Sequence, residues 1–211
     1  MKKLITEADV FKLVRQGLKE LYVDENTILT PSAKDVIIRE KIEIKSSQFK
    51  KSDSVSSTFS SSVRTIAIGS DHTGYKVKSE LIKFLNSQGY QVIDVGTNSE
   101  QSCDYPDFAY AVACAVKNNQ AERGIMIDAT GIPSSIVANK LKGIRAAVGY
   151  NEYAIKSSRE HNNSNVLTLG ARVFDVEILK SFISLWLQTG FEGGRHQKRL
   201  DKITDIENRN S

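Results

Sequence analysis

Hydrophobic residues after position 64 form two alternating patterns along the chain. Short runs rich in isoleucine and valine have the length of buried strands, and they cover residues 65–69, 91–95, 124–128, 145–149 and 166–170. Stretches with helical spacing of apolar residues separate or follow them, at 75–87, 106–118, 134–141, 152–160 and 176–187. This alternation predicts an α/β fold, a doubly wound, Rossmann-like five-stranded parallel sheet with helices on both faces.

The first 45 residues carry a different pattern. Thr6 precedes a helical stripe of apolar residues, and Thr30 precedes Pro31, so each threonine is predicted to cap a helix. Short β-like pieces at 20–23 and 41–45 flank these helices. We predict a small α+β module whose core is so small that it needs a partner surface.

A serine-rich stretch separates this module from the rest of the chain. Residues 46–62 read SSQFKKSDSVSSTFSSS and contain nine serines with almost no large apolar side chain. Such a segment cannot bury enough surface to offset the entropy of ordering. The predicted organisation is therefore a module at 1–45, a flexible linker at 46–63 and a larger domain at 64–211.

The composition limits the class of protein. The 211 residues are 26% charged and 40% hydrophobic, as in soluble globular domains. The net charge of +4 is not gathered into one basic stripe, which favours an anionic small ligand over nucleic acid. The sequence has neither an apolar run of about 18 residues nor a signal-peptide core. We expect a reduced cytoplasmic protein without a membrane partner, a metal or another cofactor.

Polar residues lie next to the ends of several predicted strands. They are Asp71, His72, Asp128, Thr130, Gly131, Tyr150, His161 and Asn162. Ligands bind at the carboxyl ends of the strands in such sheets, so we expect a carboxylate, an imidazole and a glycine loop to converge there as a proton-transfer site. An Asp-His pair after a strand is as often a helix cap, and both interpretations are open at this point.

Five motifs in this part of the chain resemble the RpiB/LacA/LacB family of sugar-phosphate isomerases in order and spacing. They are AIGSDHTGYKVK, DYPDFA, ATGI followed by ANKLKGIRAA, REHNNSNVLTLGARV and FEGGRHQKRLDKI, and together they cover essentially all of residues 65–205. The resemblance implies a homodimer with two composite sites and a metal-free interconversion of aldose and ketose phosphates through an enediolate. We expect ribose 5-phosphate as the substrate. The alternative is a catalytically weakened sugar-phosphate-binding protein with an assembly or microcompartment role.

The resemblance also assigns roles to residues at the two ends of the site. Asp71 and His72 match contacts to the substrate's hydroxyls and ring. Arg195 and Arg199 match phosphate ligands, because guanidinium groups bind phosphate through paired hydrogen bonds. Arg172 is a weaker candidate for the same role.

Three further assignments complete this set. His196 lies among the arginines, and His161 and Asn162 resemble residues that reach the partner subunit's sugar. The alternative for the arginines is a solvated basic tail.

The loop at 128–135 departs from the family pattern. In the family it reads roughly Cys-Gly-Thr-Gly-Ile-Gly, and the cysteine or a nearby glutamate is the base. Here Asp128 occupies the cysteine position and Ser134 the glutamate position. We expect Asp128 to be the base, since carboxylates move protons between adjacent carbons in other isomerases. The alternative is a structural carboxylate that accepts hydrogen bonds from the loop's backbone amides.

Other loop residues are assigned together with Asp128. Thr130 is predicted to take part in catalysis, and Gly131, Ser134 and Ser135 are predicted to contact the substrate. Pro133 replaces a glycine and removes an N–H that would otherwise stabilise an enediolate. We therefore expect a modified oxyanion site.

Tyr150 is a further departure, because many members of the family have a ring-opening histidine after the fourth strand. A phenol is a poor proton shuttle at neutral pH. We expect His161 to take over ring opening, and Tyr150 to contact the sugar or the dimer interface. Cys103 and Cys114 do not align with the missing catalytic cysteine, so we interpret them as packing residues.

The first 45 residues resemble N-terminal segments of bacterial microcompartment enzymes, in the pattern LITEADV, LTPSAKD and IEI. The resemblance implies that this module tethers the protein to a shell or cargo partner, within a microcompartment. A solubilising extension is the alternative.

Overall fold

A computed structural model describes residues 3–5, 10–11, 14, 19–23, 27–46 and 63–210. The chain divides into two compact units, residues 1–57 and 58–211. The predicted helix cap at Thr6 lies outside the described residues, as does the predicted linker apart from Ser46 and Val63. The domain boundaries therefore stay a prediction.

The first unit combines short parallel strand pairs with a helix. Its elements are β1 (Lys3–Ile5), β2 (Glu20–Val23), β3 (Thr27–Leu29), α1 (Pro31–Arg39) and β4 (Glu43–Ser46). Strand β1 pairs with β3 and β2 pairs with β4. The Oγ1 of Thr30 accepts a hydrogen bond from the N–H of Ala33 at 3.2 Å, which confirms the predicted cap. The sequence pattern missed β1 and β3, because three residues are too few to show alternation.

The second unit is built on one five-stranded sheet. Its elements are β5 (Thr65–Ser70), α2 (Tyr75–Ser87), β6 (Gln91–Asp94), α3 (Tyr105–Lys117), β7 (Arg123–Asp128), α4 (Ile132–Ala138), β8 (Ala146–Val148), α5 (Glu152–Glu160), β9 (Val166–Gly170), α6 (Val176–Gln188) and α7 (Gln197–Arg209). The strand order is β6-β5-β7-β9-β8, and every pair is parallel. The predicted α/β architecture is confirmed.

Two hydrophobic clusters cover the two faces of this sheet. Leu81 of α2 and Trp186 of α6 belong to the larger cluster. Val112 of α3 and Ala138 of α4 belong to the other. Because apolar side chains fill both faces, substrate has to bind at an edge, where the strands end.

The last helix, α7, was not predicted. Its sequence was interpreted as part of a basic stretch, because one buried side chain, Leu200, lies among many charged residues. So narrow an apolar stripe gives little helical signal. Among the residues that the structure describes, no helix combines the length and apolar character needed to cross a bilayer.

Candidate active site

The first group of predicted site residues lies where β5 ends. Asp71 is 5% exposed, and its Oδ1 accepts hydrogen bonds from the N–H of Thr73 at 2.8 Å and the N–H of Gly74 at 3.2 Å. The hydroxyl of Thr73 donates to the same oxygen at 2.6 Å. These four residues, Asp-His-Thr-Gly, form a tight turn that leads into α2. We call it the first DxTG turn.

His72 lies beside Cys103 in this region. The ring Nδ1 is 3.1 Å from the carbonyl oxygen of Cys103 and 3.3 Å from its N–H nitrogen. The Sγ of Cys103 is 4.0 Å from the same Nδ1. Contacts at Nδ1 fix the ring orientation and leave Nε2 for a ligand. Sequence reasoning assigned Cys103 to packing, since nothing in the sequence relates it to a histidine 31 residues away.

A second turn of the same sequence type follows β7. The Oδ1 of Asp128 accepts hydrogen bonds from the N–H of Thr130 at 2.7 Å and of Gly131 at 2.6 Å. Its Oδ2 accepts from the N–H of Ser134 at 3.2 Å and from the hydroxyl of the same serine. Asp128 is 1% exposed and Ser134 is fully buried. This Asp-Ala-Thr-Gly turn, the second DxTG turn, therefore has donors on both carboxylate oxygens.

The N–H groups of this loop are all used or absent from Thr130 to Ser134. Three of them donate to Asp128, and the N–H of Ile132 donates to the Oγ1 of Thr130 at 3.3 Å. Pro133 has no N–H and lies in the first turn of α4, where no intrahelical partner is required. The arrangement is the one described by the structural alternative for Asp128, while its role as base stays a prediction.

The remaining predicted residues at this edge differ in exposure. Ser135 is nearly buried and its Oγ lies 3.5 Å from the carbonyl oxygen of Ala146. Tyr150 is 61% exposed. Arg172 is also exposed, and its backbone N–H donates to the carbonyl of Ala129 in the second turn. Tyr150 and Arg172 are thus free to contact a ligand at the surface.

A separate group of predicted residues surrounds His161 at the end of α5. The rings of His161 and His196 are stacked, with centroids 4.3 Å apart and planes 9° apart. His196 is 3% exposed, and its Nε2 lies 3.3 Å from the Nε of Arg195. Burial lowers the pKa of His196, and the nearby His161, Arg195 and Arg199 lower it further. The His196 ring is therefore neutral at pH 7.

His161 and Asn162 lie at the opposite edge of the sheet from Asp71 and Asp128. Helix α5 begins after the carboxyl end of β8, and His161 caps its other end, just before the amino end of β9. The prediction that His161 and Asn162 converge with the strand-end carboxylates was therefore wrong for a single chain. Residues that precede a parallel strand lie at its amino end, and the backbone carbonyl of Asn162 accepts from Arg145 there.

His161, Glu192 and His196 are close enough to raise the question of a metal site. One ligand atom from each lies within 4.8 Å of the others. However, a metal binds in the plane of an imidazole, and two stacked planes do not meet at one point. Arg195 also directs a cationic group at the Nε2 of His196. The arrangement does not fit a metal ion.

Comparison with known proteins agrees with this geometry. The family model described as "Ribose/Galactose Isomerase" matches residues 66–203. Ribose-5-phosphate isomerase B of Escherichia coli is 45% identical over 147 residues, which are 70% of this chain and 99% of that protein. A putative sugar phosphate isomerase of Bacillus subtilis is 42% identical over 146 residues, covering 69% of this chain and 98% of the relative.

Solved structures give the same result. Ribose-5-phosphate isomerase B of Clostridium thermocellum has a TM-score of 0.69 and 50% identity, covering 70% of this chain and 99% of that chain. The Mycoplasma genitalium enzyme with bound ribulose-5-phosphate has a TM-score of 0.65 and 40% identity, covering 68% of this chain and 96% of that chain. With its five motifs, its fold and these relatives in agreement, the chain belongs to the ribose/galactose isomerase family.

Proposed function

We propose that this protein interconverts ribose 5-phosphate and ribulose 5-phosphate. The observation that carries the proposal is the 45% identity to a ribose-5-phosphate isomerase B over 99% of that relative's length. The predicted reaction needs a base that moves a proton between C1 and C2, and groups that bind the phosphate. Both kinds of group are present among the residues assigned above.

The geometry supports a site made by two copies of the chain. The two DxTG turns lie at the carboxyl edge of the sheet, whereas His161 and the arginine pair Arg195 and Arg199 belong to the amino edge. Helix α5, with nine residues, separates these edges by about 13 Å. A second copy that presents its amino-edge group to the carboxyl edge of the first would complete the site. We therefore propose a homodimer with two composite sites.

In this proposal Asp128 is the base. Its Oδ1 stays anchored by the amides of Thr130 and Gly131, and its Oδ2 exchanges the Ser134 hydroxyl for the substrate proton. The anchoring amides would orient the carboxylate and thereby favour proton transfer. Asp71 is the second candidate, because its Oδ2 accepts no hydrogen bond from the residues that the structure describes.

A direct assay tests the activity. Purified protein is incubated with ribose 5-phosphate in deuterium oxide, and ketose formation and deuterium at C2 are measured. We expect both signals. If this substrate and related aldose phosphates yield neither ketose nor deuterium exchange, the isomerase proposal is wrong.

Binding without turnover would favour the second candidate function, a catalytically weakened sugar-phosphate-binding protein. The observation behind this alternative is that Asp128 and Thr130 occupy every available loop N–H from residue 130 to residue 134. Calorimetric titration with ribose 5-phosphate measures binding directly. Arg195→Gln should weaken it, whereas Lys198→Gln, on the exposed face of α7, is the matched control.

Mixing two inactive variants tests the composite site. Asp71→Asn removes a carboxyl-edge group and Arg195→Gln removes an amino-edge group. A mixed dimer would contain one intact site, so random reassociation should restore about a quarter of the wild-type activity. Absence of any recovery, in a mixture shown to exchange subunits, would contradict the composite site.

We further propose that residues 1–45 tether the protein in the cytoplasm to a microcompartment shell or cargo partner. The support is the sequence resemblance of this module alone. Deletion of residues 1–62 should abolish this localisation and leave isomerase activity unchanged. Equal localisation of the shortened protein would exclude the tethering role.

A further inference from the structure

A cavity of about 920 Å³ opens at the amino edge of the five-stranded sheet. Arg123, the first residue of β7, and Arg159, in the last turn of α5, contribute to its wall, and residues 187–194 between α6 and α7 form another side. Its lining residues do not include Arg195, Arg199, His161 or His196. The cavity is therefore distinct from the residues assigned to the substrate, and we call it the arginine cavity.

The two arginines donate only to neutral acceptors. Arg159 is 3% exposed, and its guanidinium donates to the backbone carbonyls of Thr189 and Ser164 and to the side-chain oxygen of Asn163. Arg123 donates to the carbonyl of Glu122 at 2.9 Å. Within the described part of the chain, neither guanidinium forms an ion pair with a carboxylate.

Like charges also lie close to one another here. Burial, followed by the charges of Arg123 and Arg145, lowers the pKa of Arg159 to about 10. Burial and Arg145 lower the pKa of Arg123, and Glu122 partly opposes this. Both groups remain charged at neutral pH. The local field is therefore positive and is only partly compensated.

One carboxylate, that of Glu192, lines the cavity as well. Its Oε2 lies 3.6 Å from the Nε2 of His196, outside the cavity wall formed by the arginines. Carbonyl oxygens satisfy the N–H groups of an arginine without neutralising its charge. Two arginines against one carboxylate leave a net positive charge for an anion to neutralise.

We propose that the arginine cavity binds a phosphate-bearing small molecule at a site separate from the substrate site. Planar guanidinium groups bind phosphate oxygens through paired hydrogen bonds. The cavity volume is within the range of small-molecule sites, which combine apolar walls with a few polar groups. Tyr90 and Phe191 supply aromatic surface for the organic part of the ligand, and Asn163 and Thr189 supply polar contacts.

Ligand binding here would act on the loop that leads to the arginines of the substrate site. Glu192 in this loop donates its N–H to the carbonyl of Glu160 at 3.0 Å, and the N–H of His196 donates to the carbonyl of Gly193 at 3.0 Å. A ligand that contacts residues 187–194 therefore influences where Arg195 and His196 lie. A change in the KM for ribose 5-phosphate rests on the proposed function, whereas ligand binding itself does not.

Calorimetric titration with inorganic phosphate and with adenosine 5′-monophosphate tests the site. An Arg195→Gln/Arg199→Gln double variant removes the proposed phosphate ligands of the substrate site. We expect this variant to retain saturable binding of one or both probes. Addition of Arg123→Gln should weaken that binding at least about tenfold, the effect of losing a charge-assisted contact. Arg64→Gln, which changes an exposed arginine outside the cavity lining, should have no effect.

Two results would overturn the proposal. One is that the double variant binds neither probe, and the other is that Arg123→Gln leaves its binding unchanged. Circular dichroism and melting temperature establish that each variant is folded, and Arg123 is preferred to Arg159 because it is less buried. If the isomerase assay fails while the double variant still binds phosphate, the arginine cavity stands and the proposed function does not.

Discussion

The two DxTG turns have the same sequence pattern and follow neighbouring strands, yet their carboxylates differ in what remains free. In both turns, Oδ1 of the aspartate accepts the N–H groups of the residues two and three positions later. Oδ2 of Asp71 accepts no hydrogen bond from the described residues. Oδ2 of Asp128 accepts two, both from Ser134. A residue outside the four-residue motif therefore determines how available the carboxylate is.

The glycines that end the two turns are required for different reasons. Gly131 has a φ of +79°, a conformation that residues with a side chain rarely adopt. Gly74 has a φ of −95°, which any residue can adopt. However, a Cβ at position 74 would lie 2.8 Å from the carbonyl oxygen of Ile127. The second turn needs conformational freedom, and the first needs close approach of two backbones.

The largest expected effect is that of Asp128→Asn. If Asp128 is the base, kcat for ribose 5-phosphate falls by about 10² to 10⁴. The asparagine amide would also face three N–H donors and one hydroxyl, so the free energy of unfolding falls by about 2–4 kcal/mol. Steady-state kinetics and urea unfolding measure the two effects. Asp205→Asn, at an exposed position on α7, is the control.

Asp71→Asn should have a smaller effect on a different constant. We expect KM for ribose 5-phosphate to rise by about 10-fold to 100-fold through loss of a charge-assisted contact, with kcat changed less. The reverse result, a large loss of kcat in this variant with kcat retained in Asp128→Asn, would exchange the roles of the two turns.

Substitution of the two glycines sharpens the comparison of the backbones. Gly131→Ala and Gly74→Ala should each lower the free energy of unfolding by about 1–3 kcal/mol. Asparagine should be less harmful than alanine at position 131, because it tolerates positive φ. It should be more harmful than alanine at position 74, where space is limiting. Equal responses at both positions, measured by thermal unfolding, would contradict the distinction.

The smallest effect is expected from Ser134→Ala. It removes the hydroxyl that donates to Oδ2 of Asp128, so the free energy of unfolding falls by about 1–2 kcal/mol. We expect kcat to stay within a few-fold of wild type, because Oδ2 becomes available without exchange. Ser79→Ala, which removes a hydroxyl donating to the carbonyl of Tyr75 on α2, is a control for hydroxyl loss. A kcat loss as large as that of Asp128→Asn would show that Ser134 itself is required for proton transfer.

The sheet was predictable from the sequence because its signal is local. Strands β5, β7 and β9 are continuous apolar runs, and the predicted helix bounds at 75–87 and 152–160 match α2 and α5. Helix α7 was missed because Leu200 is its one buried residue among the helix's many polar side chains. Local hydrophobic periodicity therefore predicts elements that pack on a core and misses those that barely do.

The candidate site was predictable as a set of residues and not as an arrangement. The contact between His72 and Cys103 joins residues 31 positions apart, and the stack of His161 on His196 depends on how α7 returns to the sheet. The hydrogen bond from Ser134 to Asp128 crosses a turn whose course depends on the positive φ of Gly131. These contacts come from tertiary structure, which residue types and spacing do not encode directly.

The carboxylate of Asp128 is, in effect, a ligand carried by the loop that binds it. Because it is attached to the same backbone, its effective concentration at the three amides is in the millimolar range or higher. Anions in solution therefore compete poorly for those amides, and an enediolate oxygen meets the same competition. Removing the side chain altogether, as in Asp128→Gly, would leave a vacant anion site, and added formate should restore part of the lost stability.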